Sequence, residues 1–231
     1  MKRILVGMSV AVVAAVAAVL VWFYASSNVE DPDVTAAALA SSETSTAGSA
    51  TAVGGDVFEL NDESTVTFEI GEELRGSPMT VEATNTEVAA QLSFDPDDLA
   101  ATELGTVTIG ATTFETDSGN RNRAIRGPIL DSGEHPLIEF APASIDGLDG
   151  SIGTGDSVRF TVTGDLTIRD ITTSVTFEVD ATYTSEARVE GSASATVNRT
   201  DFDLSIPSAP GVANVSEEVL LRIDFVATPV A

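Results

Sequence analysis

The sequence contains no cysteine and a single histidine, His135. Without thiols the chain can form neither disulfides nor thiolate metal sites, so its stability must come from a hydrophobic core. Lipoprotein processing, which needs a cysteine, is excluded for the same reason. His135 precedes Pro136 in a predicted loop and has few partners for nucleophilic catalysis, so we assign it a structural role and predict that the protein is not an enzyme.

Basic residues are also scarce. Eleven Lys and Arg stand against 36 Asp and Glu, and the formal net charge is -25 at pH 7. Such a surface repels nucleic acid and anionic lipid headgroups, so we expect no nucleic-acid partner. The acidity favours solubility, including in salty surroundings where ions screen the self-repulsion. The alternative is a surface that recruits cations or a basic partner.

The acidic residues form no metal-binding motif that we recognise, and we predict no metal site. Asp95-Pro96-Asp97-Asp98 lacks the ligand spacing and the glycine of a calcium-binding loop, and it is typical of a turn. With so many carboxylates, a pair at the separation used by glycosidases can arise by chance. A carboxylate-dependent hydrolase therefore stays open as a rival function.

Residues 4–24 form an uncharged run of 21 residues after Lys2 and Arg3. As a helix, this run is roughly 31 Å long, which matches the hydrocarbon core of a bilayer. The basic pair predicts a cytoplasmic N-terminus, so the C-terminal domain is expected to be periplasmic or at the cell surface. We predict a single-pass anchor in the cell membrane. A cleaved signal segment is the alternative, and it would leave a secreted protein.

The chain divides into three segments by composition. Residues 1–24 are the anchor or signal segment, and residues 25–55 are an Ala/Ser/Thr-rich segment predicted to be a disordered linker. Residues 56–231 show the period of two that indicates strands with one buried face. Long strands are predicted at 158–169 and 171–184, joined as a hairpin across Arg169-Asp170. Further strands are predicted at 57–70, 87–94, 104–114, 137–145, 188–197 and 219–227, and one short helix at 119–130.

Eight antiparallel strands fit a closed barrel or a two-layer sandwich. Predicted lengths of up to 14 residues exceed the usual sandwich strand and favour the barrel. The predicted fold is all-β, an extended eight-stranded antiparallel β-barrel of lipocalin-like type with one short helix.

Three stretches carry a resemblance to a known family: residues 120–140, 162–172 and 198–202. The most specific is the Gly-Asp-Leu-Thr-Ile-Arg-Asp-Ile-Thr run at 164–172. Together they resemble the YceI-like family of polyisoprenoid-binding, lipocalin-type barrels. The resemblance implies a binding protein of the bacterial envelope whose apolar channel holds an isoprenoid lipid, a quinone or polyprenyl chain, and which needs no other cofactor. Many members carry a histidine shortly after the first strand, a position occupied here by residues 69–76, which contain none.

Inward-facing apolar residues are the candidates for lining such a channel, with ordinary core packing as the alternative for each. They are Phe68, Ile70, Leu92, Phe94, Ile109, Phe140, Phe160, Val162, Phe177, Val179, Ile223 and Phe225. Three arginines, Arg121, Arg123 and Arg126, are candidates for contacting a headgroup. Pairing with nearby acids such as Asp117 and Asp131 is the alternative.

The predicted function is that of a membrane-tethered extracytoplasmic protein that holds an isoprenoid lipid for sequestration or transport. A structural or adhesive β-domain with a solid core and no lipid is the main rival. The sequence is compatible with a homodimer.

Overall fold

The computed structural model describes residues 55–230. The predicted anchor at 1–24 lies outside the described residues, and so does the predicted linker apart from its last residue, Gly55. Among the helices within residues 55–230, none has the length and apolar character needed to cross a membrane.

The described part of the chain is dominated by β-structure. The strands are β1 (Asp56–Leu60), β2 (Thr65–Leu74), β3 (Ser77–Asn85), β4 (Val88–Ala89), β5 (Gln91–Phe94), β6 (Glu103–Leu104), β7 (Val107–Gly110), β8 (Leu137–Asp146), β9 (Ser157–Ile168), β10 (Ile171–Ser185), β11 (Arg188–Asn198), β12 (Val212–Ala213) and β13 (Glu218–Pro229). Helix α1 (Gly119–Ala124) continues into a π-helical turn (Ile125–Ile129), and single 3₁₀ turns lie at Leu99–Ala101 and Arg199–Phe202.

All thirteen strands belong to one curled antiparallel sheet. Its main order is β4-β7-β8-β9-β10-β11-β13-β1-β5-β6. One edge of β13 pairs with β11, while its other edge pairs with β2 over Val219–Asp224 and with β1 over Ala227–Pro229. β3 pairs with β2 along its whole length. The architecture is therefore all-β with one short α-helix, as predicted.

The long hairpin predicted across Arg169-Asp170 is confirmed. β9 and β10 pair at twelve positions, from Ile168 opposite Ile171 to Ser157 opposite Thr182. The strict alternation of apolar and polar residues along both strands explains why the prediction succeeded, because each strand buries one face only. The predicted strands 137–145, 188–197 and 219–227 also agree with β8, β11 and β13 to within two residues.

The single strand predicted at 57–70 is wrong, because the structure has two strands, β1 and β2, with a turn between them. The Asn61 side-chain oxygen accepts a hydrogen bond from the Glu63 amide at 3.0 Å, and the Ser64 amide donates to the Asn61 carbonyl at 3.0 Å. Ser64 is fully buried and exchanges hydrogen bonds with the backbone of Val226. Both strands follow the same edge of β13, so the turn is a local interruption of one path along the sheet.

The strands predicted at 87–94 and 104–114 are also divided. The first splits at Ala90, where β4 ends its pairing with β7 and β5 begins its pairing with β1. In the second, β7 ends at Gly110 because buried Asn85 binds the following segment: its Nδ2 donates to the Gly110 carbonyl at 2.5 Å, and its Oδ1 accepts from the Thr113 hydroxyl at 2.8 Å.

β3 is absent from the sequence-based prediction. Its buried positions are Val81, Ala83 and Asn85, and two of these three residues are poor indicators of a strand. The turn at Arg75-Gly76, where both residues have positive φ, leads from β2 into β3 as a tight hairpin. The number of strand segments is therefore larger than the predicted eight.

The interior contains two apolar clusters. The larger cluster lies along the inner faces of β2, β7, β8, β9 and β10. It also includes Ile125 of the π-helical turn and Leu130, which follows that turn. The smaller comprises Phe58, Phe94, Leu99, Leu148, Tyr183, Val189 and Ala227; we call it the packed end. Its rings fit closely, with the Phe94 and Tyr183 centroids 5.3 Å apart.

Candidate functional site

A cavity of about 170 Å³ lies inside the larger cluster. Of its 25 lining residues, 22 are Val, Leu, Ile or Phe, and the remaining three are Glu72, Arg121 and Arg199. The apolar lining can bind a ligand through desolvation and dispersion alone, because it presents almost no hydrogen-bonding group. Any polar recognition must involve the three charged residues.

The alternation of β2 and β13 builds one wall of the cavity. Val66, Phe68 and Ile70 point inward from β2, and they lie opposite Ile223, Leu221 and Val219 of β13. The opposite wall includes Phe140 of β8 and Phe177 of β10, whose rings meet edge to face with centroids 5.0 Å apart. Both walls follow from period-two patterning, because every second residue of a strand faces the same side.

The helical segment covers part of the cavity. Arg121 of α1 and Ile125 and Ile129 of the π-helical turn contribute to the lining. Pro128 lies inside this turn, and the Leu130 amide reaches back five residues to the Ile125 carbonyl at 2.9 Å. A proline without an amide hydrogen accounts for the wider hydrogen-bonding pattern at this point. The turn places the Ile125 and Ile129 side chains over the apolar lining.

Glu72 and Arg121 form an ion pair at the cavity surface. Arg121 Nη2 lies 3.1 Å from Glu72 Oε1, and the side chains are 21% and 8% exposed, respectively. Arg121 Nη1 donates to Asp117, whose side chain is 75% exposed. Arg121 therefore connects a nearly buried carboxylate to a carboxylate in solvent.

Arg199 is held at the same end of the cavity. Its Nε donates to the Ser216 carbonyl at 3.0 Å and its Nη1 to the Leu204 carbonyl at 2.9 Å. The Ser216 amide in turn donates to the Gly71 carbonyl at 2.8 Å, directly beside Glu72. We call Glu72, Arg121 and Arg199 the polar end of the cavity.

The twelve residues predicted to line a channel fall into two groups. Six line the cavity: Phe68, Ile70, Ile109, Phe140, Phe177 and Ile223. The other six lie elsewhere in the interior: Leu92 and Phe94 pack at the packed end, Val162 and Val179 belong to the larger cluster, and Phe160 and Phe225 contact both clusters. Lipid contact stays a prediction for all twelve.

The three arginines predicted to contact a headgroup have different surroundings. Arg121 lines the cavity, whereas Arg123 is exposed and donates to the Asn120 side chain at 3.2 Å, and Arg126 is exposed. The alternative expectation of pairing with acids describes Arg121, which bonds Asp117.

Asp131 lies instead beside Glu134 and His135, whose potential ligand atoms are all within 4.8 Å of one another. His135 Nδ1 is also 3.7 Å from a carboxylate oxygen of Asp170 at the β9–β10 turn.

Sequence reasoning missed Glu72 and Arg199. Glu72 continues the inward series Val66, Phe68, Ile70 on β2, so the alternation contained a signal for it. Arg199 lies in the 3₁₀ turn after β11, in a segment without strand or helix periodicity. Its place in the lining depends on the fold, and the signal that the sequence offered was its position in the stretch 198–202, which carries the resemblance.

Comparison with known proteins gives consistent results. A family model described as YceI-like domain matches residues 58–227. Among solved structures, the fold is similar to that of BcnA from Burkholderia cenocepacia, with 22% identity, a TM-score of 0.56, and coverage of 72% of this chain and 97% of that one. A polyisoprenoid binding domain from Saccharophagus degradans, implicated in plant cell wall breakdown, shares 10% identity with a TM-score of 0.57, covering 75% and 98%.

The YCEI protein of Campylobacter jejuni shares 16% identity with a TM-score of 0.51, covering 64% of this chain and 85% of that one. A search of curated proteins finds no match. At these identities the structural likeness concerns the fold alone.

Proposed function

Because the chain belongs to the YceI-like domain family, we propose that it is a binding protein that holds an isoprenoid lipid, a quinone or polyprenyl chain, in its interior cavity. The observation that carries the proposal is the lining, in which 22 of 25 residues are Val, Leu, Ile or Phe. The Saccharophagus domain, named as a polyisoprenoid binding domain, supports this class of ligand.

The binding energy would come from desolvation of the lipid tail. Each buried methylene contributes about 0.8 kcal/mol, so a few isoprene units bind measurably without any hydrogen bond. The cavity of about 170 Å³ is close in size to engineered apolar cavities of about 150 Å³ that hold one benzene molecule. A longer tail therefore requires movement of side chains. Phe160 and Phe225 contact both interior clusters. We propose that their side chains move to make room for the lipid tail.

We further propose that the curled sheet closes into a barrel around this lipid. Two contacts support closure. Thr84 of β3 forms an isolated bridge with Glu115, and Val88 of β4, three residues beyond β3, pairs with Ile109 of β7. The chain thus runs directly from β3, at one edge of the sheet, into β4, which pairs with β7 on the far side of the sheet.

The cellular setting belongs to the proposal as well. An anchor at 1–24 with an extracytoplasmic domain would hold the cavity beside the bilayer that contains isoprenoid lipids. The protein would then sequester such a lipid or carry it to and from the membrane.

The test is lipid extraction from the full chain, followed by mass spectrometry. Val197 of β11 lines the cavity, whereas its neighbour Thr196 is exposed on the outer face of the same strand. Val197→Phe fills space in the cavity, so we expect it to lower the molar ratio of isoprenoid lipid to protein several-fold. Thr196→Phe adds the same ring outside the cavity and serves as the matched control.

Equal lipid content in the folded Val197→Phe and Thr196→Phe variants would contradict the cavity as the binding site. A wild-type protein without stoichiometric isoprenoid lipid would instead favour the solid-core structural or adhesive domain. Phe58, Phe94 and Tyr183 pack closely at the packed end. In a solid-core domain, such close packing would continue through the whole interior.

A further inference from the structure

We infer that the headgroup bound at the polar end is uncharged and carries a hydroxyl, as in a polyprenol, and that phosphorylated isoprenoids are disfavoured. This inference rests on the proposed function, since it names the headgroup of the lipid proposed above. It depends on how Glu72, Arg121 and Arg199 are engaged in the structure.

Each of the two cavity arginines already uses two of its five N–H donors. Both terminal nitrogens of Arg121 donate to carboxylates, Nη1 to Asp117 and Nη2 to Glu72. Arg199 donates through Nε and Nη1 to the carbonyls of Ser216 and Leu204. Tight phosphate recognition by arginine usually involves two parallel N–H donors of one guanidinium. In Arg121 both nitrogens of the terminal fork are bonded, and in Arg199 each possible fork contains one bonded nitrogen, so neither arginine offers a fork that is wholly free.

The charge balance also disfavours a phosphate. Glu72 and Asp117 carry two negative charges against the two positive charges of Arg121 and Arg199, so these four residues are neutral together and leave no surplus positive charge for a phosphate. The Glu72 side chain is 8% exposed and lies in a lining that is apolar apart from the two arginines, so a second negative charge there is poorly screened. The net charge of -25 for the whole chain adds a long-range repulsion of anions.

A hydroxyl headgroup fits the same residues. Its hydrogen can be donated to the Glu72 carboxylate, of which one oxygen, Oε1, is bonded to Arg121. Its oxygen can accept from a guanidinium N–H of Arg121 or Arg199. A hydroxyl thus satisfies a donor and an acceptor at once without adding charge to the cavity, which is the condition for burying a polar group at low cost.

The experiment compares two probes with identical 20-carbon tails, geranylgeraniol and geranylgeranyl monophosphate. The full chain is placed in lipid nanodiscs, and each unlabelled probe competes against radiolabelled geranylgeraniol, with empty nanodiscs correcting for partition into lipid. We expect the alcohol to bind at least about tenfold more tightly than the phosphate, a difference of about 1.4 kcal/mol.

Two variants separate the role of Glu72 from a general charge effect. Glu72→Gln removes the carboxylate charge from the cavity, and we expect it to reduce the preference for the alcohol about tenfold. Glu73→Gln removes the same charge from the neighbouring residue, which is absent from the lining and bonds Asn214. We expect this control to change the preference less than about twofold, because the charge it removes lies outside the cavity lining.

The outcomes are distinguishable. If wild-type protein binds the phosphate as tightly as the alcohol, the headgroup inference is overturned while lipid binding stands. If neither probe competes, the proposed function itself fails. A preference for the alcohol that survives unchanged in folded Glu72→Gln protein would overturn the role given to Glu72. Since the wild-type comparison needs no substitution, the inference stays testable even if that variant does not fold.

Discussion

Gly164 on β9 lets Phe140 and Pro142 of β8 approach the strand closely. A Cβ atom at this position would lie 2.8 Å from the Cζ atom of Phe140 and 2.8 Å from the Cα atom of Pro142, closer than real Cβ contacts. The absent side chain lets the Phe140 ring lie across β9 and meet Phe177 inside the cavity lining. One missing methyl group therefore contributes to the shape of the candidate site.

At the residue scale, Gly164→Ala is expected to destabilise the protein by roughly 1–3 kcal/mol, because the added methyl group overpacks the interior. The measurement is urea unfolding at constant pH. Gly119→Ala is the matched control, since a Cβ there has no atom within 4 Å, and it should be neutral or stabilising by at most about 1 kcal/mol. Equal stability of the two variants would show that β9 adjusts without cost.

Tyr183 at the packed end makes the stability of the fold depend on pH in the alkaline range. Burial raises the pKa of its hydroxyl above the ordinary value of 10.0, with smaller contributions from Glu186, Asp56 and Asp97. Because the unfolded chain ionises at the lower pKa, the unfolded state loses its proton first as pH rises. The contribution of this group to stability is therefore constant below pH 10, and it is lost as pH rises above that value.

Tyr183→Phe removes the ionisable hydroxyl, so the decline in stability above pH 10 should be reduced. Urea midpoints compared from about pH 8 to about pH 11 measure this effect. The other tyrosine, Tyr24, lies in the predicted anchor and outside the described residues. An identical alkaline decline in wild type and Tyr183→Phe would assign the effect to other groups.

At the scale of elements, the β9–β10 hairpin is the most regular unit of the sheet. Its two-residue turn is Arg169-Asp170, and Arg169 adopts the left-handed conformation with φ of 56°. This conformation costs a residue with a Cβ roughly 1–2 kcal/mol. The long pairing on either side offsets the cost, so the hairpin tolerates a turn residue of unfavourable type.

Arg169→Gly is expected to stabilise the protein by about 1 kcal/mol, because glycine adopts positive φ without strain. Arg169→Gln removes the same charge but retains the Cβ, so it reports the effect of charge alone and should give no gain. Thermal unfolding of both variants measures the difference. Equal unfolding midpoints of the two variants would contradict a conformational cost of positive φ at Arg169.

At the scale of the whole molecule, the excess of acid dominates the surface. Arg188 illustrates the consequence, because its Nη2 lies 2.8 Å from Glu63 and its Nε 2.6 Å from Glu190. Arg222 likewise lies between Glu69 and Asp224. Such exposed pairs contribute little individually. They do not remove the repulsion among the remaining carboxylates, since the chain as a whole carries a net charge of -25.

Added sodium chloride is therefore expected to stabilise the folded protein. Raising the concentration from about 0.05 M to about 1 M shortens the Debye length to about 3 Å and screens the repulsion. The midpoint of thermal unfolding should rise by roughly 2 to 4 °C for each kcal/mol of repulsion removed. A sucrose series is the control, because sucrose is uncharged. A midpoint that is unchanged or lower in salt would show that repulsion among the acidic residues does little to destabilise the fold.

Much of the sheet could be predicted because its long strands bury one face each. β8, β9, β10, β11 and β13 alternate apolar and polar residues, and the sequence located them closely. The prediction failed where polar residues interrupt or enter the interior. Asn61 and Ser64 divide β1 from β2, and buried Asn85 ends β3 and anchors the loop after β7. A local pattern cannot show that a polar side chain will find a partner far along the chain.

The sequence by itself determined which residues face inward, since a period of two assigns every second residue of a strand to one side. It also determined the acidic surface and the reliance on a core without disulfides. Only the tertiary structure decided which inward residues surround empty space. Phe94 and Phe177 have equivalent local patterns, yet one packs against Tyr183 at the packed end and the other lines the cavity. The reason is that a void is a property of several strands together: its presence depends on how side chains from distant segments meet across the interior.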